Sequence, residues 1–407
     1  MAWREGERER AAVDVLAEAE SLAASFPERL PGSDSERRAA RHLEARLRKL
    51  GRDAEIEHVD AWPNWPVAYA IHALVAIVGS VLAVSVPVLG ASLALAAALL
   101  TFLDASGFPT TRRLLGRRAS QNVVSWGDRT TPGALVIAAH YDTGRSGLVL
   151  ADRWERRRAA LGRLLHRPIG ALEPFFWALV AVLVCCLLRL PGIEGTALTV
   201  IQFVPTVALI VAVPLLLDNA MSPPEPGEND NASGVAMALA LAARKGGRLD
   251  RFGVHVVLTG SQKAVAQGMR SFLRRHRADL GRTSTVVLNL DEVGAGGVRW
   301  TRREGSLLTL RSHAQLTSLC EEVAEDDEDA RARPLVNRAP SDGYAARAAG
   351  LPAVTITCRD ELDVAAAPLD LDSLSRAELF CAELIARVDA ELGPNLAGRP
   401  EVRERNG

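Results

Sequence analysis

Hydrophobic and polar positions change rhythm several times along this chain. Residues 1–30 repeat apolar positions at helical spacing among many charges and read as an amphipathic helix. After a Pro-Gly-Ser turn, a second helix is predicted from about residue 33 to 50. Residues 1–30 contain no apolar signal core, so no secretory signal is expected in them. From residue 67 to 103 the charges vanish: no Asp, Glu, Lys or Arg occurs. As one straight helix this stretch would run roughly 55 Å, well past a hydrocarbon core of about 30 Å, so two membrane spans are expected, reversing at Pro87 and Gly90. A second pair is predicted at 174–188 and 196–217, joined by LPGIEG. Arg189 is expected to snorkel to the interface, while Pro205 and Pro214 are tolerable in a membrane helix.

The rest alternates short β runs with helical stretches. NVVSW, ALVIAAH, FGVHVVLTG, STVVLNLD and AVTIT read as strands; helices are expected after Asn231, over about 264–276, and over about 373–392. That alternation predicts an α/β domain with a mixed, mostly parallel sheet sandwiched by helices. The domain would be assembled from 1–65, 105–172 and 218–393, with transmembrane hairpins at 66–104 and 173–217 and a flexible tail at 394–407.

Composition sharpens this. With 48 Lys and Arg against 49 Asp and Glu in 407 residues, the net charge is −1, which offers no global field for nucleic acid. A mean hydropathy of +0.07 alongside 24% charged residues requires apolar residues in blocks. Five cysteines show neither a disulfide framework nor a CxxC zinc site, and fit a reducing compartment. Two hairpins leave all three soluble parts on one side of the bilayer. Between residues 104 and 173 stand twelve Arg against six acidic residues, whereas the hairpin tips hold only Arg189 and Glu194. The positive-inside rule therefore predicts a multi-pass protein of the cell membrane with its soluble domain in the cytoplasm. The arginine runs suit either a solvated helix face or lipid headgroups.

Ligand sites in open α/β sheets form beyond the carboxyl ends of strands. His140-Tyr141-Asp142 follows LVIAA, with Asp142 placed to orient the imidazole or to join it as a ligand. Asp230 precedes a helix in GENDNASG, where an N-cap would also explain it. Asp291 and Glu292 follow VVLNL. One imidazole and two carboxylates make a borderline-metal donor set.

These residues resemble family twenty-eight of the zinc metallopeptidases, the two-zinc aminopeptidases related to glutamate carboxypeptidase and glutaminyl cyclase. The likeness runs through RLPGSDSERRAARHLEARLRKLG, NVVSW, AAHYDTG, GENDNASGVAMALALAA, VVLTGSQKAVAQGMRSFL, VVLNLDEVG and PSDGYAARAAGLPAVTIT, with the spans as insertions. It implies a zinc aminopeptidase-like fold with four inserted transmembrane helices, and a first zinc held by His140, Asp230 and Asp291. The family's second zinc uses the bridging Asp, the second Glu of a Glu-Glu pair and a His after Ser-Asp; those last two positions here are Lys263 and Gly343. The first Glu of that pair is the family's general base, and Gln262 stands there. A Gln side chain cannot take up that proton. The resemblance thus implies at most one zinc ion, with the Lys263 ammonium beside Asp230 in place of the second. It also implies an impaired hydrolase with a binding or regulatory role, with membrane lipid and a peptide or another membrane protein as candidate partners and no nucleic acid. Two alternatives stay open: an active membrane aminopeptidase or amidohydrolase using Glu228, Glu292 or Asp342 as base, and a metal-free scaffold. The remaining histidines are read as structural, and the Asn231-Ala232-Ser233 sequon carries no weight at a cytoplasmic helix start.

Overall fold

The computed structural model describes residues 13–148, 152–327, 332–361 and 368–392. The tail expected at 394–407 and the first twelve residues of the predicted N-terminal helix lie outside them. The described elements, in chain order, are α1 (Val15–Ser25), α2 (Asp34–Lys49), β1 (Glu55–Ala61), α3 (Trp65–Leu82), α4 (Pro87–Ala105), β2 (Arg118–Ser125), β3 (Gly133–His140), α5 (Asp152–Leu164), α6 (Glu173–Arg189), α7 (Thr196–Met221) and α8 (Ser233–Lys245). They continue with β4 (Phe252–Thr259), α9 (Gln267–Arg275), β5 (Thr285–Leu290), β6 (Gly297–Glu304), β7 (Leu310–Arg311), α10 (Ala314–Asp326), β8 (Arg333–Asn337), α11 (Asp342–Ala348), β9 (Ala353–Arg359) and α12 (Leu371–Glu391).

The strands form one mixed sheet in the order β1-β2-β4-β3-β5-β9-β6-β7, with β8 paired to β6. Its centre, β4-β3-β5-β9, is parallel, and the outer strands β1, β2, β6 and β7 pair antiparallel. Successive side chains of β3 go to opposite faces. Leu135, Ile137 and Ala139 join the core under α1, α2, α8, α10 and α12, while Val136 and Ala138 join the core under α9 and α11. Burial on both faces explains why the central strands read as unbroken apolar runs. The five cysteines are buried and unpaired.

Among the described residues three helices are long and apolar enough to cross a membrane: α3, α4 and α7. The fourth expected span forms α6, which has 17 residues and is bounded by Glu173 and Arg189. α3, α4, α6 and α7 pack around small side chains such as Ala73, Ala76, Ala94 and Ala98, the residue size that lets apolar helices approach closely. Gly90 is not in the turn predicted for it. It lies inside α4, where a Cβ would meet the Ala83 backbone at 2.5 Å, so its role is close packing. Arg189 does not snorkel. It is buried, donating to Gln202 Oε1 at 2.8 Å and Thr199 Oγ1 at 3.0 Å, because α7 supplies acceptors within its reach.

The α3–α4 hairpin is tied directly to the sheet domain. Arg112 is fully buried and pairs with Asp104 at 2.7 Å, at the end of α4, and the same guanidinium donates to Ala264 O at 3.0 Å. Arg270 donates to Ser106 O at 3.2 Å just beyond α4.

Candidate metal centre

β3 ends on His140 in the middle of the sheet, so the buried imidazole sits at the carboxyl end of the parallel strands. Its Nδ1 donates to the Asp142 backbone carbonyl at 3.0 Å. That bond turns Nε2 toward two carboxylates: Asp230 Oδ1 and Asp291 Oδ1 each lie 3.2 Å away. Asp291 follows β5, and Asp230 comes from the loop between α7 and α8. One donor atom from each of the three lies within 4.8 Å of the others. An imidazole nitrogen and two carboxylate oxygens converging in this way fit one borderline divalent ion.

The predicted second position does not offer such a set. Lys263 Nζ sits 2.8 Å and 2.6 Å from the two oxygens of Asp230. Burial disfavours the ammonium, but Asp230, Asp291 and Glu292 more than offset this and hold its pKa above that of free lysine. Gln262 is buried, its Nε2 donating to Pro340 O at 2.9 Å. Gly343 is the second residue of α11, and a Cβ there would meet Thr355 Oγ1 at 2.2 Å. The position is closed to any side chain while Thr355 keeps its place.

Asp142 acts differently from either sequence expectation. It is its carbonyl, not its carboxylate, that makes the closest bond to His140; the nearer carboxylate oxygen is 3.5 Å away. The carboxylate instead accepts from the backbone N–H groups of Gln262 and Lys263, both at 2.9 Å. The helix expected from about 264 begins later for the same reason. Gln262–Ala264 is a single 3₁₀ turn, and Ser261, Val265 and Ala266 take φ of 55°, 67° and 54° before α9 starts. Positive φ is costly for residues with a Cβ, most of all for β-branched Val265, and persists where surrounding contacts over-determine it. Asp142 supplies two of those contacts.

Three positioning residues escaped sequence reasoning. Arg29 is fully buried and donates to Tyr141 O at 2.7 Å and Gly227 O at 2.9 Å, joining the segment after His140 to the one before Asp230. Burial lowers its pKa to about 10, opposed by Asp142 and Asp230. Asn231 donates to Leu290 O at 2.9 Å and accepts from Glu292 N at 2.8 Å and Gly234 N at 3.2 Å. It thus clamps the Asp291 turn to α8, and serves as the cap that Asp230 was a candidate to be. Glu36 accepts from Ser120 Oγ at 2.7 Å, Gly32 N at 2.7 Å and Ser261 N at 3.1 Å. Burial pushes its carboxyl up to about 8 despite those bonds. RLPGSDSE carries Arg29 and Glu36, so the signal lay in a recognised stretch, without a role attached to either residue.

The candidate relocated bases divide. Glu292 pairs with Arg359 and lines the cleft beside Asp230 and Lys263; burial raises it to about 7, with Arg359 opposing. Asp342 is buried and accepts from the Thr259 hydroxyl, and burial raises it to about 7. Glu228 lines the cleft.

Residues 214–374 match the family model described as Peptidase family M28. That stretch runs from the end of α7 to the start of α12 and includes Asp230, Lys263 and Asp291. Its fold is shared with a Zn-dependent exopeptidase from Parabacteroides distasonis (12% identity, TM-score 0.51, covering 94% of this chain and 99% of that one). The zinc aminopeptidase BSAP from Bacillus subtilis matches at 11% identity and TM-score 0.51, over 95% and 97% of the two chains. A Tannerella forsythia glutaminyl cyclase matches at 12% identity and TM-score 0.50, over 94% and 99%. No curated protein sequence matches the chain. The sheet domain therefore has the fold of these solved structures, and the apolar helices α3, α4, α6 and α7 pack on one another beside it.

Proposed function

We propose that this is a multi-pass membrane protein whose M28 domain binds a single zinc ion through His140, Asp230 and Asp291 and has lost ordinary peptidase turnover, leaving a binding or regulatory role. The observation that carries this reading is the Lys263 ammonium on both oxygens of Asp230, which supplies one positive charge where a second ion would need the same carboxylate. Bound zinc supplies a Lewis acid. The chain's own groups do the rest: Asp142 and Asn231 hold the donors in place, Lys263 neutralises Asp230, and Gln262 offers no basic atom for proton transfer. General acid–base help is worth about 10²–10⁴-fold, so its loss alone would leave turnover very weak.

The membrane reading is supported by three apolar helices and by their outward faces, where Leu74, Val78, Val81, Val200, Ile201, Phe203 and Val204 are exposed. Contiguous apolar surface of this kind suits lipid. The arginines of 104–173 support a cytoplasmic side for the domain through the positive-inside rule.

The decisive experiment is metal content together with hydrolysis of aminoacyl-nitroanilides by the purified full-length protein. At most one zinc per chain is expected, lost in His140→Ala, with no turnover above background. Two stoichiometric zincs that require Asp230, or turnover at the rate of active relatives, would overturn the reading. The second reading, an enzyme using Glu292, rests on its place in the cleft beside Asp230 and Lys263; it requires turnover that disappears in both Glu292→Gln and His140→Ala.

A further inference from the structure

α5 has two unlike faces. Glu155, Arg158, Ala159 and Gly162 point into a cavity of about 1170 Å³ that Asp230, Lys263 and Glu292 also line. The other face turns away from the protein. Trp154, Leu161, Leu164 and, just past the helix end, Leu165 are 43–74% exposed, and Arg153 and Arg157 stand among them. The Arg157 guanidinium lies 4.9 Å from the Trp154 ring centroid. An aqueous surface gives no reason for three exposed large apolar side chains on one short helix and a fourth just past it, whereas an apolar stripe flanked by arginines is the pattern of a helix lying in a lipid interface.

The surroundings fix what covers this face. Just before α5, Leu148 N donates to Asp218 Oδ2 at 2.8 Å and Ser146 O accepts from Asn219 Nδ2 at 3.0 Å, which ties the chain to the last turns of α7. Just after α5, Arg167 pairs with Glu173, the first residue of α6, and Arg338 reaches the same carboxylate at 3.0 Å. Both ends of α5 are thus held level with the domain-side ends of candidate spans. Residues 153–167 carry six arginines against Glu155 alone. Arginines near an anionic surface attract it, each in proportion to its nearness.

We infer that α5 is an interfacial helix seated in an anionic leaflet, Trp154, Leu161 and Leu164 entering the headgroup boundary while its inner face walls the cavity next to the metal centre. This rests on the membrane-spanning reading above. It makes the wall of the cavity sensitive to the lipid outside it.

The test is amide hydrogen exchange of the full chain in nanodiscs of phosphatidylcholine and of phosphatidylcholine mixed with phosphatidylglycerol. α5 is expected to exchange about tenfold more slowly in the anionic discs. Leu161→Glu with Leu164→Glu should abolish the slowing. Arg153→Gln with Arg157→Gln, which keeps the apolar stripe and spares the cavity face, should remove the dependence on lipid charge while leaving the rate in neutral discs unchanged. Equal α5 rates in the two lipids, with α3, α4 and α7 protected in both, would overturn the inference and leave the spanning reading intact. Fast exchange in α3, α4 and α7 in both discs would strike the spanning reading itself, and the inference with it.

Discussion

Lys263 Nζ stands within 3 Å of both carboxylate oxygens of Asp230, closer than His140 approaches the same side chain. Removing one partner of a largely buried pair leaves the other charge uncompensated. Lys263→Met should therefore destabilise the metal-free protein by roughly 3 kcal/mol. Added zinc should recover much of that, because a ligand that binds only the native state stabilises it. Melting temperatures in detergent, with and without zinc, provide the measurement; an unchanged metal-free value would show that the ammonium does not hold Asp230.

Asn231 reaches from Leu290 to Glu292 and Gly234. Groups that orient metal ligands typically matter by 10–100-fold in affinity. Asn231→Ala is expected to weaken zinc binding by about that factor in a chelator competition, while His140→Ala removes binding altogether. Equal affinity in Asn231→Ala and wild type would show the clamp to be dispensable.

Below the sheet end, Glu304 and Arg347 form a buried ion pair with Thr301 and Thr355 bonded into it. Glu304→Ala should cost about 3–5 kcal/mol through the orphaned guanidinium. Replacing both partners with apolar residues of similar volume should cost much less, since such exchanges are often neutral. Chemical denaturation of the three proteins separates the outcomes, and comparable losses in the single and double variants would contradict the pairing.

His255 is buried and accepts a hydrogen bond from Gly127 N at 2.9 Å on Nδ1. Burial, with help from Arg52 and Arg129, lowers its pKa to about 4. A native histidine with a depressed pKa binds its proton later than the unfolded chain does, so stability contributed by the neutral ring is complete above pH ~6.5 and drains away as pH falls toward 4. The loss should amount to on the order of 2–3 kcal/mol by pH 4. His255→Asn retains an acceptor and should flatten that part of the curve; identical pH profiles for the two proteins would refute the assignment.

The legible parts of this chain were those whose physics is local. Long apolar blocks announced α3, α4 and α7, and unbroken Val/Leu runs announced β3, β4 and β5, because burial on both faces leaves no polar positions. His140, Asp230 and Asp291 stood out as polar residues ending apolar runs. β1 was hidden: EIEHVDA intersperses charges because it sits on the sheet edge with partly exposed side chains. Arg29 and Arg112 were hidden differently. Their partners Gly227 and Ala264 lie 198 and 152 residues away, so only the folded chain reveals what the guanidinium is for.

Gly343 limits what the site can be made to hold. A side chain introduced there collides with Thr355 Oγ1, and that hydroxyl cannot turn aside without giving up its bond to Glu304 and loosening the buried pair with Arg347. Placing a histidine at 343 therefore requires prior clearance at 355. Position 343 thus stays without a donor atom for as long as the Glu304–Arg347 pair keeps Thr355 where it is.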